Sequence, residues 1–417
     1  MIGGLKQTTS RLAIAAAAGL FTGGIALTPV QAADLGGDCC ADLEERVAEL
    51  EATTVRKGNR KVSVKISGQV HRAIMFWDDG FQDGIFLTDQ NDSSTRFRIT
   101  GSATISPGRT AGYRMEYDLF GADSSNDVSN CGAAGNCRPV AHGDGLLGSE
   151  FDNRWQEIWI KDDKLGKISL GKGATATEST SEVDLSGTAV AGIWSGADFS
   201  FTSFRFRNAA GAGTAITHGN SWNNFDGGGR QSRIRYDTPT FGGFTLSTSY
   251  AADDFVDGAI RFKKEWNSVR CAAAIGAGHD TDGLDSQDIW RYNGSASCLH
   301  SPSGLNLTFA AGTDDDSRRD GVVGSSDAEF WYIKGGISRR WNSHGKTSIA
   351  IDYGVTSDQV NGTTDGENTI VGAAVVQAIN SAAMELYLSY RHVEYDDNST
   401  TSFEDLDFVL AGARIKF

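Results

Sequence analysis

From Lys61 to the last residue, Phe417, apolar and polar side chains alternate with a period of two in one segment after another. Val62, Val64, Ile66, Gly68 and Val70 share one parity; Ser63, Lys65, Ser67, Gln69 and His71 share the other. Phe97, Ile99, Gly101, Ala103 and Ile105 alternate with Arg96, Arg98, Thr100, Ser102 and Thr104, and Tyr113, Met115 and Tyr117 with Arg114, Glu116 and Asp118. Successive side chains of a strand point to opposite sides, so these are strands with one apolar and one strongly polar face. Sixteen segments read this way, those at 152–161, 257–265, 268–277 and 369–378 alternating least cleanly. Glycine at 51 of 417 residues against 5 prolines suits many tightly turned strands and disfavours helices.

The connections decide between kinds of sheet. Ser106–Gly112, Asp162–Leu165, Thr240–Gly242, Trp266–Asn267, Ser301–Gly304, Arg339–Gly345 and Ile379–Ala382 are short. Those between them, such as Asp78–Ser93, Gly121–Phe151, Thr313–Asp327 and Ser357–Asn368, read as longer and acidic, and the two classes alternate. Strands of about ten residues with short turns at one end and long loops at the other are the signature of a barrel crossing an outer membrane. The last strand agrees: Val409, Ala411, Ala413, Ile415 and Phe417 form an apolar face ending on the terminal carboxylate, with Gly412, Arg414 and Lys416 on the other side. The expected fold is an all-β, 16-stranded antiparallel transmembrane barrel over 61–417.

Before the barrel, Lys6, Arg11, the apolar stretch from Leu12 to about Leu27, and Val30-Gln31-Ala32 read as a signal peptide spanning 1–32. Beyond it no apolar run approaches the ~18 residues of a transmembrane helix. Leu43, Val47 and Leu50 fall at heptad spacing among Glu44, Glu45, Arg46 and Glu49, which predicts a short helix within the segment 33–60. That helix is read as tethered near the barrel mouth in preference to associating in an oligomer. The net charge is −15, and loss of the two signal cations makes it more negative, so nucleic acid is excluded as a partner. Six cysteines occur at 39, 40, 131, 137, 271 and 298. In an exported chain Cys131 and Cys137 can close a local loop, and Cys271 and Cys298 can meet across a hairpin; adjacent Cys39 and Cys40 would be strained if bonded.

One connection is far longer than the rest. After the strand Gly166–Gly173, about fifty-five residues pass before the next clear strand near Arg230. A loop of that length is functional or disordered, and Val183, Leu185, Val190, Ile193, Trp194, Phe199, Phe201, Phe204 and Phe206 make it too apolar for a solvated linker. The expectation is that 174–229, the third outside loop, folds back inside the wall.

The segments Ala33–Leu50, Gly68-Gln69 leading to Phe76–Gly80, Ser181–Gly187, Asn224–Arg230 and Arg235–Ser247 resemble, in order, the porin family of alphaproteobacteria. The resemblance implies a sixteen-stranded, trimeric barrel whose third loop narrows the lumen, passing small hydrophilic solutes passively through the outer membrane, with membrane lipid and lipopolysaccharide around it and no cofactor. A constriction needs charged walls around water. Glu178, Glu182 and Asp184 are assigned to its acidic side, and Arg96, Arg98, Arg114, Arg233 and Arg235 to its basic side. The competing reading is that these arginines pair with Glu116, Asp118 and the loop acids merely to hold the loop down.

Other signals are weak. The histidines are scattered, and no metal-ligand or phosphate-binding motif appears. Asp280-Thr-Asp282 and Asp314-Asp-Asp316 offer carboxylates to a divalent cation at the outer rim, although acidic loops are more often simply solvated. A substrate-selective channel of the same barrel would want an aromatic ladder, and Trp77, Trp155, Trp194 and Tyr332 are too dispersed to show one. A barrel enzyme needs a nucleophile and base together, and no such pair stands out. Arg72 breaks the apolar parity of Val70 and Ile74, so either a bulge intervenes there or this strand faces a neighbouring subunit.

Overall fold

A computed structural model describes residues 61–119, 124–132, 137–140, 151–192, 200–252, 254–281, 288–316, 327–360 and 365–417. The expected signal peptide, the helix at Leu43–Leu50, Cys39, Cys40, Trp194 and Asp282 lie outside them. The first half of the wall consists of β1 (Lys65–Asp78), β2 (Asp83–Thr88), β3 (Arg96–Ser106), β4 (Arg109–Asp118), β5 (Asp152–Asp162) and β6 (Gly166–Ala174). A small hairpin, β7 (Arg205–Arg207) and β8 (Gly213–Thr217), interrupts it. The wall resumes with β9 (Arg230–Asp237), β10 (Phe244–Ala251), β11 (Phe255–Trp266), β12 (Val269–Asp280), β13 (Ile289–His300) and β14 (Leu305–Asp316). It ends with β15 (Ala328–Arg339), β16 (Thr347–Ser357), β17 (Glu367–Ile379), β18 (Met384–Asp396) and β19 (Leu406–Lys416).

Seventeen strands form one antiparallel sheet, and β1 pairs with β19 from Gln69↔Lys416 to Asp78↔Asp407, so the sheet closes on itself and keeps no free edge. β2 and β3 share one crossing, because β1 pairs with β2 from Ala73 to Asp78 and with β3 from Lys65 to Gln69. The barrel therefore has sixteen crossings.

Two connections differ from the sequence reading. The stretch Asp78–Ser93 is not one long loop: Asp83–Thr88 is strand, joined to β1 through a tight turn in which Asp79 accepts hydrogen bonds from the N–H groups of Phe81 and Gln82. Six residues are too few for the alternation to announce a strand. On the same side, residues 252–254 join β10 to β11 directly, so the outer loops are not uniformly long. The poorly alternating strands do pair. In β5 a register shift opposite Glu116 and Tyr117 turns Arg154 to the polar side together with Trp155, which is why its alternation fails.

Along each strand the two faces part cleanly. On β16 Ile349, Ile351 and Tyr353 are exposed, whereas Ser348, Ala350 and Asp352 are buried. Leu305, Leu307 and Phe309 on β14 and Ile168 and Leu170 on β6 continue the outward apolar surface. A surface this apolar around the whole circumference suits hydrocarbon and would aggregate in water. Cys271 is bonded to Cys298 across β12 and β13, and Cys131 to Cys137 in the connection after β4.

The long connection between β6 and β9 bonds to the opposite, polar face. Thr177 donates from its N–H (2.7 Å) and hydroxyl (2.6 Å) to Asp257 on β11, and the Thr180 hydroxyl donates to Asn293 on β13. The N–H groups of Val183 and Leu185 donate to Ser295 and Ser297 at 2.8 and 3.0 Å, and farther round Arg391 on β18 donates to the carbonyl of Gly192 at 3.0 Å. Small hydroxyl and amide residues at alternate wall positions thus satisfy loop backbone that would otherwise be buried without partners. Gly276 permits the approach, since a Cβ there would lie 2.7 Å from Thr177 Cγ2. The loop's aromatic residues are buried too: Phe201 stacks on Phe408 of β19, Phe204 meets Trp77 and Phe408 edge-on, and Phe206 lies against Tyr395.

Candidate functional site, a charged cavity beside the long connection

The polar faces of β3, β4 and β5 carry an unusual concentration of charge. Glu116, fully buried, is surrounded by four guanidinium groups: Arg96 at 3.4 Å, Arg98 and Arg114 at 2.5 Å, and Arg154 at 3.2 Å. Asp118 adds contacts to Arg96 at 3.5 Å and Arg154 at 2.7 Å. Two carboxylates against four guanidiniums leave this wall basic, and Trp155 supports it from one side, with Arg114 3.6 Å and Arg230 5.3 Å from its ring centroid. These pairs join wall strand to wall strand, with Glu116 and Asp118 as the acids. They do not neutralise it.

Arg96 and Arg154 face a cavity of about 530 Å³, which Arg230 and Arg414 also line. Acidic residues line it too: Glu178, Glu182 and Asp226 from the long connection, and Asp92 from the segment between β2 and β3. Glu178 meets Arg230 at 2.9 Å. Glu182 is buried, accepting from Asn224 at 3.3 Å and Ser179 at 3.2 Å. Burial, reinforced by the carboxylates of Asp226 and Glu178, pushes Glu182 well above the ordinary glutamate range. Asp226 accepts from the N–H groups of Ser179 (2.7 Å) and Ser181 (3.2 Å), and burial beside Glu178 raises it to about 6. Guanidiniums and carboxyls thus line one cavity, a setting that suits hydrated polar solutes better than apolar ones.

Of the eight residues assigned from sequence, Glu178, Glu182 and Arg96 come together around this cavity. Arg98 and Arg114 bind Glu116 and are not among the residues lining it. Asp184 is elsewhere, in a buried ion pair with Lys334 of β15 at 2.6 Å. Arg233 and Arg235 hold the root of the connection: Arg233 pairs with Glu157 and donates to the carbonyls of Ala174 and Gly171, and Arg235 pairs with Asp237 and donates to Thr175 O at 2.6 Å.

Sequence reasoning missed Arg154, Arg230, Arg414, Asp92 and Asp226. Arg154 was hidden by the register shift, which overrides parity. Arg230 and Asp226 both lie in the quoted segment Asn224–Arg230, so their signal was available. Arg414 was placed on the polar face of the last strand, but only closure of β19 on β1 carries it to the cavity.

The sequence model of the Gram-negative porin family matches residues 13–398 of the chain. The chain belongs to that family. This porin therefore forms a water-filled channel through the outer membrane for passive diffusion of small hydrophilic solutes and ions. Among solved structures it is similar to an anion-selective porin from Comamonas acidovorans, at 15% identity and a TM-score of 0.56, covering 85% of this chain and 100% of that one. OprB of Pseudomonas putida gives a TM-score of 0.56 at 8% identity over 90% of this chain and 97% of that one. The trimer form of OmpT, an outer membrane protein of Vibrio cholerae, gives 0.52 at 12% identity over 85% and 99%. At such identities these structures establish the fold. No curated protein matches by sequence.

Proposed function

We propose that the segment 174–229 is the constriction of this channel and that solutes pass it through the charged cavity. The observation that supports this most is the gathering of Arg96, Arg154 and Arg230 with Glu178 and Asp226 around one cavity of about 530 Å³. Selection there is by size and by the field of these charges, and the walls perform no covalent step. Within the family, the segments quoted above favour the alphaproteobacterial branch. The functional unit is read as a homotrimer in a bilayer of lipid and lipopolysaccharide, an assembly in keeping with the trimer form described for OmpT.

The test is electrical. Purified porin, folded in detergent and shown to be heat-modifiable, should raise the current across a planar bilayer in discrete steps. Glu178→Gln should shift the reversal potential in a salt gradient towards anion preference, and Arg96→Ala towards cation preference. A folded barrel that gives no steps, or steps whose reversal potential ignores both substitutions, would refute the assignment.

A further inference from the structure

Charge on the lumen side of this barrel is divided by end. Buried side chains mark the inward parity of each strand: His71 on β1, Glu157 on β5, Ser169 on β6, Ala259 on β11 and Ala274 on β12. Followed to the end of the short turns, which in such barrels faces the periplasm, that parity reaches Lys65, Lys161, Lys167, Lys263 and Arg270. Lys161 and Lys167 stand directly across from each other on β5 and β6. Like charges so placed cost stability, so they do not serve to hold the wall together.

Four carboxylates at this end are already paired with arginine: Asp162 with Arg109 at 2.6 Å, Asp237 with Arg235 at 2.7 Å, Glu265 with Arg270 at 3.4 Å, and Glu385 with Arg414 at 2.6 Å. Lys65, Lys161 and Lys263 are exposed and, among the described residues, have no carboxylate within ion-pair distance. The inner mouth therefore carries uncompensated positive charge. The other end is the reverse. The outer connections 78–83, 252–255, 280–288, 357–368 and 394–407 all contain aspartate or glutamate and no lysine or arginine.

We propose that this channel is bipolar along its axis and rectifies, the inward lysines at the periplasmic end acting as a second selectivity element that opposes the acidic outer mouth. An acidic mouth gathers cations and a basic mouth gathers anions. With the outer side positive, cations enter through the mouth that gathers cations and anions through the mouth that gathers anions, so the bore fills with carriers. With the outer side negative, each ion enters through the mouth that repels it, and the bore is depleted. The proposal concerns the two mouths and holds whichever residues form the constriction between them.

The experiment records single channels in a planar bilayer in about 10 mM potassium chloride, where a Debye length of about 30 Å lets the charge at each mouth reach across it. Polylysine, added to one compartment and then to the other, should reduce the current from one side only and so marks the acidic mouth. Expected for the parent is a current about twofold larger when that side is positive, becoming equal for both signs in about 1 M salt. Lys65→Gln with Lys161→Gln and Lys263→Gln should bring the ratio towards one, with heat-modifiable migration showing that the barrel is folded. Lys264→Gln should keep the parent's ratio, since residue 264 shares the outward parity of Ile260. Three results on the parent would each overturn the proposal: equal currents in dilute salt, a larger current with the marked side negative, or polylysine acting alike from both sides. So would a folded triple variant with the parent's ratio, or a Lys264→Gln variant that loses it. A parent without rectification whose reversal potential still answers to Glu178→Gln would leave the constriction reading intact.

Discussion

Lowering the pH should move the channel's ionic preference towards anions, with Asp226 as the group responsible. Asp226 is raised to about 6 by burial beside Glu178, so it surrenders most of its charge between about pH 7.5 and about pH 5. The guanidiniums of Arg96, Arg154 and Arg230 line the same cavity, and that of Arg261 donates to the Glu178 carbonyl at 2.7 Å. An ion passing about 4 Å from a full unit charge in a water-like medium gains or loses about 1 kcal/mol, roughly fivefold in occupancy. Counting opposite effects on cation and anion and allowing for screening, the cation-to-anion permeability ratio should fall by about fivefold to tenfold in dilute salt. In about 1 M salt, with a Debye length of about 3 Å, the shift should be much smaller. The assay is the reversal potential across a planar bilayer in a potassium chloride gradient at both pH values, for the parent and for Asp226→Asn. The variant should start anion-shifted at the higher pH and change little on acidification. A parent whose ratio is flat between the two pH values, or a variant that follows the parent's pH dependence, would show that Asp226 does not face the ion path.

Other substitutions separate structural pairs from path-lining charge. Glu182→Gln should alter the reversal potential much less than Glu178→Gln at neutral pH, because burial already favours the neutral form of Glu182. Equal shifts from the two would contradict this. Asp184→Asn removes the carboxylate from a buried pair with Lys334 and should cost about 3–5 kcal/mol, read as a lower temperature of heat modification; Asp184→Asn with Lys334→Met should recover much of it. Arg96→Ala should shift selectivity towards cations more than Arg98→Ala, since only Arg96 lines the cavity; the reverse order in paired bilayer recordings would refute that placement. Reduction of Cys271–Cys298 should leave the barrel folded by heat-modifiability, because the ladder from Val269↔His300 to Asp280↔Ile289 holds those strands together without it.

The sequence by itself determined the wall. A period of two with one apolar face is local information: each strand carries its own pattern, and Ser348, Ala350 and Asp352 against Ile349, Ile351 and Tyr353 could be sorted without knowing any partner. The unusual length and apolar content of 174–229 were equally plain, as was likeness to a porin family. Tertiary structure decided which charges meet. Asp184 and Glu182 are two residues apart, yet one is drawn to Lys334 on β15 and the other to Asn224 and Ser179, because a loop without periodicity takes its side-chain directions from whatever it lies against. Arg154 needed a register shift, and Arg414 needed closure of the sheet more than three hundred residues after Arg96; neither leaves a mark within a short window of sequence. Arg72 stands at the boundary between the two. Its parity was legible and odd from the start, and the unbroken β1–β19 register removed the bulge that would have explained it locally.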